Sequence, residues 1–166
     1  GSIDFYSFPY WAQYTGLDIT ALHRRFTELI QFRPGAKAFL NWAKAKKKKT
    51  IIATNAHPES IQIKNEISAL SSHVNHITSS HQYKCPKETP EFWERLQIEH
   101  QFDKAKTIFI DDNAPVLDSS KNYGLAYNLI VAKPDSQKPL KPNLSYPSFD
   151  HYEEICPQIK SKLVTL

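Results

Sequence analysis

The stretch Thr107-Ile108-Phe109-Ile110-Asp111-Asp112-Asn113 limits what this chain can fold into more than any other. β-Branched and aromatic residues run without alternation into two adjacent carboxylates. Such a run reads as a strand buried on both faces, as in the parallel sheets of α/β proteins. The acids then fall at the strand's carboxyl end, where open α/β sheets bind ligands. Two adjacent carboxylates repel and are costly to desolvate, so a cationic partner is expected. A hard divalent ion such as Mg2+ suits them, because it takes a few carboxylates together with water and phosphate oxygens. Capping of the next helix by Asp-Asp-Asn is the plainer alternative.

The flanking sequence has matching periodicity. Leu22, Phe26 and Leu29 share one helical face, with Asp18 or Thr20 as cap. Pro34 suits a helix start, and Ala36, Phe39, Leu40 and Ala43 follow helical spacing. Thr50 to Ala53 reads as a strand, and Pro58 opens a helix bearing Ile63, Ile67 and Leu70. Val74 and Ile77 suggest a short strand. Thr89 and Pro90 start a helix carrying Phe92, Trp93 and Leu96. Residues 114–123 form a helix stopped by Gly124. Ala126 to Val131 is a buried strand, residues 133–147 a proline-bearing loop, and Tyr152 to Leu163 a last helix interrupted near Pro157. Alternating helices and strands imply a layered α/β domain with a mainly parallel sheet.

At 166 residues, with 40% hydrophobic and 23% charged residues, the chain can build a real core. It has no apolar run long enough to span a membrane and no signal-peptide pattern. Two cysteines, Cys85 and Cys156, are too few for a disulfide scaffold, so a cytoplasmic setting is expected. Net charge is +4, much of it from Lys44 and Lys46 to Lys49. That run lacks interleaved aromatics, so a solvated helix end is preferred over a nucleic-acid surface, and no membrane partner is expected. The aromatics Phe5, Tyr6, Phe8, Tyr10, Trp11 and Tyr14 read as core packing or contact with a further segment. The chain opens Gly1-Ser2 and contains no methionine, so its first residue is not an ordinary translation start. A fragment behind an added dipeptide and the remainder after processing are both open.

Three groups stand at strand ends or just beyond. A hydroxyl at Thr54 and the N–H groups of Asn55 and Ala56 can hold phosphate oxygens at a helix start. Lys87 adds a point charge to neutralise phosphate. Asp111 and Asp112 can hold the metal. Each element alone is weak, because a Thr before a helix usually caps it and a loop Lys is usually solvated. The ordered set is more specific.

Ile51-Ile52-Ala53-Thr54-Asn55-Ala56, Pro86-Lys87-Glu88 and Ile108-Phe109-Ile110-Asp111-Asp112 resemble motifs two, three and four of the haloacid dehalogenase (HAD) superfamily. Thr54 to Pro58, Phe92-Trp93, Tyr10-Trp11, Gly16 to Ile19 and Ser148 to Tyr152 are similar to its bacterial GMP/IMP 5′-nucleotidase branch. The resemblance implies a Rossmann-like three-layer α/β/α core. It also implies a Mg2+-dependent phosphomonoester hydrolase acting on a purine nucleoside monophosphate through an aspartyl-phosphate. Thr54 and Lys87 would be catalytic. Thr54, Asn55, Ala56 and Lys87 would bind phosphate, and Asp111 and Asp112 would bind metal. Asp118 does not fit the second-acid spacing, and His57 is assigned to local hydrogen bonding.

One motif has no counterpart. The family's Asp-x-Asp pair, which supplies the nucleophile and the general acid, occurs nowhere in the chain. The resemblance therefore implies that residues 1–32 are a remnant of the helical cap. Residues 33–166 would be a HAD-like core lacking its first, central strand. That strand would lie between those of Thr54 and Asp111, so its loss would expose strand edges and leave the isolated segment poorly stable and inactive. A truncated, non-catalytic binding or regulatory protein is the alternative. A phospho-accepting receiver domain would place its acids before the Thr and Lys, the reverse of the order here.

Overall fold

Strands in this protein are short and end where polar chemistry begins. The computed structural model describes residues 2–135, 137–141 and 144–157. They form two compact units, residues 2–86 and Lys87–Pro157.

The first unit holds helices α1 (Phe8–Thr15), α2 (Ile19–Arg24) and α3 (Ala36–Ala45), strand β1 (Ile51–Thr54), helix α4 (Pro58–Ser68), strand β2 (His76–Ser79) and the short helix α5 (Ser80–Tyr83). β1 and β2 pair in parallel, with Ile51 opposite His76 and Thr54 opposite Ser79. α4 starts at Pro58 behind His57, whose ring accepts the Glu59 N–H. A proline loses no hydrogen bond in a first turn.

The second unit continues with α6 (Pro90–His100), β3 (Ile108–Asp111), α7 (Ala114–Tyr123), β4 (Tyr127–Val131), β5 (Ser148–Phe149) and α8 (Tyr152–Ile155). Its sheet runs β3-β4-β5, all parallel, with Asp111 opposite Ile130. α7 ends at Gly124, whose φ of 104° closes the helix in the left-handed region. Buried Ser120 donates to Asn128 Oδ1 at 2.5 Å, and the Asn128 amide donates to the Leu125 carbonyl at 2.8 Å. This satisfied polar pair locks α7 to β4.

The core is uneven. Phe92, Trp93, Leu96, Val116, Leu117, Leu125, Ile130, Val131, Ala132, Phe149 and Cys156 are buried in the second unit. Among the described residues of the first unit, the buried apolar side chains are only Ala43 and Ile63. Strands alternating with helices match the expected α/β class, and β3 is parallel as expected. It is not buried on both faces, however: Ile108 is 50% exposed, and Phe109 and Ile110 are half-buried.

Several local expectations need correction. The first six aromatics do not make a core: Phe5 is 64% and Tyr14 75% exposed. They pack on one another, as in the edge contact of Phe5 with Trp11 at 5.9 Å. α2 stops at Arg24, and Leu22, Phe26 and Leu29 stay exposed rather than forming a buried face. Its cap is Asp18, which accepts the Ala21 N–H, while Thr20 donates instead to Glu59. Pro34 precedes α3, because Gly35 with φ 76° takes the cap position. β2 begins at His76 and not at Val74. α5 was not expected; a Ser79–Gln82 capping box creates it. β5 lies at the end of the anticipated loop and is too short for periodicity to register. The last helix, α8, ends at Ile155 with Cys156 as its cap, and positions 158–163 of its expected span lie outside the described residues.

Candidate functional site

In the first unit, β1 delivers Thr54 to its carboxyl end. The chain then turns through Asn55 and Ala56 before α4. Thr54 Oγ1 accepts the Ala56 N–H at 3.0 Å, and Ser79 Oγ donates to the Ala56 carbonyl at 2.7 Å. Asn55 is 7% exposed. The loop is thus held from both sides, with the Thr54 hydroxyl proton left to donate elsewhere.

Aromatic rings buttress this loop. The Phe8 ring stacks on His57 at 5.2 Å, and His57 meets the edge of His81 at 5.0 Å. His57 Nδ1 accepts the Glu59 N–H at 3.4 Å, which matches its expected local role. Nε2 of His81 is buried without a hydrogen-bond partner. Burial foremost, then the neighbouring His57, pushes the His81 pKa below the usual imidazole value; the carbonyls of Asn55 and Tyr6 and the charge of Asp4 oppose this. His23 is lowered too, by burial and by Lys64.

In the second unit, Lys87 Nζ donates to Asp111 Oδ2 at 2.5 Å, and both side chains are about nine-tenths buried. Oδ1 of Asp111 accepts the Asn113 N–H at 2.9 Å. The Lys87 backbone is fixed by Trp93, whose indole N–H reaches its carbonyl at 2.9 Å and Ser119 Oγ at 3.0 Å. Trp93 packs edge-on against Phe109 at 4.8 Å, and Lys87 Nζ lies 5.8 Å from the Phe109 ring centre. The β3 residue before Ile110 therefore helps to seat the cation that neutralises the acid after it.

The structure thus joins Lys87 with Asp111 and keeps Asp112 adjacent, with its side chain exposed. Thr54, Asn55 and Ala56 cluster separately in the first unit. Asp118 stands apart: it accepts from the Tyr146 hydroxyl at 2.5 Å. Burial, aided by this bond and the Asp118 charge, pushes the Tyr146 phenol up to about 12. Sequence reasoning missed Lys141, which donates to the Asp112 carbonyl at 2.6 Å. It sits in a proline-bearing loop, where no periodicity marks it.

The donor set fits Mg2+. Asp111 and Asp112 offer hard carboxylate oxygens, and this ion commonly takes one or two carboxylates and fills its octahedron with water and substrate oxygens. Among the described residues, no three His, Cys, Asp or Glu side chains gather into a ready-made metal cluster. No helix among them is long and apolar enough to cross a membrane.

Comparison with known proteins adds an independent line. The profile of the haloacid dehalogenase-like hydrolases matches residues 12–124. The chain is 31% identical over 158 residues to the GMP/IMP nucleotidase YrfG of Escherichia coli K12, covering 95% of this chain and 71% of that protein. Among solved structures, a β-phosphoglucomutase-like protein from Thermotoga maritima aligns with a TM-score of 0.70 at 20% identity, over 83% of this chain and 64% of that one. L-2-haloacid dehalogenase from Xanthobacter autotrophicus aligns with a TM-score of 0.60 at 15% identity, over 76% of this chain and 60% of that one. At such identities the structural likeness speaks for the fold alone. The profile match and the relative at 31% identity speak for the family: this chain belongs to the haloacid dehalogenase-like hydrolases.

Proposed function

We propose that residues 1–166 carry the phosphate- and metal-binding part of a Mg2+-dependent nucleoside 5′-monophosphatase with a preference for GMP and IMP. The buried Lys87–Asp111 pair carries this reading: a cation spent on one acid at a strand's carboxyl end leaves the neighbouring Asp112 to face a ligand. Similarity to YrfG, named as a GMP/IMP nucleotidase, supports the substrate class.

In this reading Thr54 donates its hydroxyl to a phosphate oxygen beside the N–H of Asn55, while the Ala56 N–H, which was expected to join them, is taken by Thr54 Oγ1 and orients that hydroxyl. Lys87, while balancing Asp111, offsets charge on the phosphoryl group. Asp112, with Asp111, holds Mg2+, which when bound offsets the charge of the transferring phosphoryl group. A carboxylate supplied from outside residues 1–166 attacks phosphorus. The ester P–O bond breaks, the departing alkoxide oxygen takes a proton from a general acid supplied with that carboxylate, and water then hydrolyses the aspartyl-phosphate, releasing phosphate and restoring the carboxylate. Residues 1–32 are part of the cap, and 33–166 belong to the core.

The test is phosphate release from GMP, IMP, AMP and CMP, with Mg2+ and with chelator. It is run on residues 1–166 and on a protein extended by a strand bearing Asp-x-Asp. Activity only in the extended form, highest on GMP and IMP, is expected. Equal turnover by residues 1–166 would overturn the need for an outside nucleophile. A natural product of 19.1 kDa that binds these nucleotides without turnover would favour a non-catalytic binding or regulatory protein.

A further inference from the structure

The lysine run does more than end a helix. Lys44 lies in the last turn of α3, and the chain then turns through Lys47, whose φ of 53° is left-handed. That turn, closed by the Lys47 and Lys48 N–H groups donating to the Lys44 and Ala43 carbonyls, reverses the run at the helix end. Lys44, Lys47, Lys48 and Lys49 together with Asn75 line one concavity of about 270 Å3.

The lining has one polarity. An ammonium group has three donors and no acceptor. Asn75 Oδ1 is committed to Thr50, accepting its N–H at 2.8 Å and its hydroxyl at 3.2 Å. The side-chain polarity Asn75 offers elsewhere is therefore its N–H2 group. Lys44 Nζ reaches the Ser72 carbonyl at 3.2 Å, which anchors one rim of the concavity. Like charges gathered around one hollow repel one another, and an anion carrying several charges relieves that repulsion.

We propose that this concavity is a binding site for a short polyphosphate chain. Lysine suits such a ligand, because it meets phosphate as a point charge without the planar fork that arginine uses for shaped recognition. No aromatic residue lines the hollow, so it has no platform for stacking bases, and its lining is local rather than a track along the surface. The site is also separate from the Thr54 loop. The lysines precede β1 and Thr54 ends it, and the four residues of β1 set the two about 13 Å apart.

The experiment is calorimetric titration of the full chain with inorganic tripolyphosphate at low salt, repeated with orthophosphate and with a single-stranded oligonucleotide. Tripolyphosphate is expected to bind at least roughly tenfold more tightly than orthophosphate, with affinity falling steeply as salt rises. The triple variant Lys47→Ala, Lys48→Ala, Lys49→Ala should lose this binding. The corresponding triple arginine variant should retain most of it, and Thr54→Ala should leave it unchanged. All these lysines are exposed, so the variants should keep the wild-type circular dichroism spectrum. Binding that survives the alanine triple, or is lost in Thr54→Ala, would overturn the proposal. Tighter binding of the oligonucleotide, increasing with its length, would overturn it in favour of a nucleic-acid surface. Failure here leaves the phosphatase reading intact, because that reading rests on the other end of β1.

Discussion

Lys87 and Asp111, 24 residues apart in sequence, meet as a buried ion pair with 2.5 Å between Nζ and Oδ2. A pair this sheltered contributes little when intact, but removing one partner strands the other charge. Lys87→Met should therefore lower unfolding free energy by about 3–5 kcal/mol. Combining it with Asp111→Asn should cost less than the sum of the two single changes. Urea denaturation of the four proteins checks this; strict additivity would mean that the pair is not coupled.

The two acids should separate by readout. Asp111→Asn leaves Lys87 without its charge partner, so it should destabilise as well as impair Mg2+-dependent phosphate release. Asp112 is exposed, so Asp112→Asn should change stability by less than about 0.5 kcal/mol. It should still raise the Mg2+ concentration that activity requires. Thermal melts beside a Mg2+ titration of the extended protein distinguish the two roles.

His81 sets a pH dependence. Its folded-state pKa is depressed, by burial and then by His57, so between that value and about 6.5 the unfolded chain binds more protons than the folded one. Stability from this group is complete above about pH 6.5 and is lost as pH falls through the depressed value. His23 acts in the same direction. A His81→Gln variant should flatten the decline that sets in as pH falls below about 6.5, as measured by denaturant midpoints in a series of buffers on the acid side of that value. An unchanged slope would exclude His81 as the source.

Hydrogen exchange should be uneven. Because Ala43 and Ile63 are the only buried apolar side chains among the described residues of the first unit, its strands β1 and β2 have little apolar burial to protect them. Amides of β3, β4 and α7 should exchange at least roughly tenfold more slowly than those of β1 and β2. Equal protection would show that the first unit has stabilisation that burial does not reveal.

Gly124→Ala should destabilise by about 1 kcal/mol. Space does not decide this, since an added Cβ would lie 3.6 Å from Lys104 Cδ, an ordinary contact. The cost is the φ of 104°, which alanine resists. Thermal unfolding of the two proteins measures it.

Much of the second unit was legible from residue patterns. Ile108 to Asp111 is an apolar run ending in an acid, and α7 begins beside Pro115 and stops at a glycine, so local sterics and hydrophobic periodicity sufficed. Thr54, Asn55 and Ala56 were legible as a strand-to-helix loop for the same reason. The aromatic start was not. Phe5, Tyr10 and Tyr14 have core composition, but composition does not state whether a covering surface exists. α5 and β5 were also hidden, because a four-residue helix and a two-residue strand are shorter than any hydrophobic period.

The sequence by itself determined the α/β order and the placing of Thr54 and Asp111 at strand ends, because these follow from interactions within a few residues. Only the tertiary structure decided that Lys87 takes Asp111 as its partner, that Trp93 fixes the Lys87 backbone, and that Lys141 reaches Asp112. Those contacts join residues far apart along the chain, and charge pairing and burial act through space, where separation along the chain has no say.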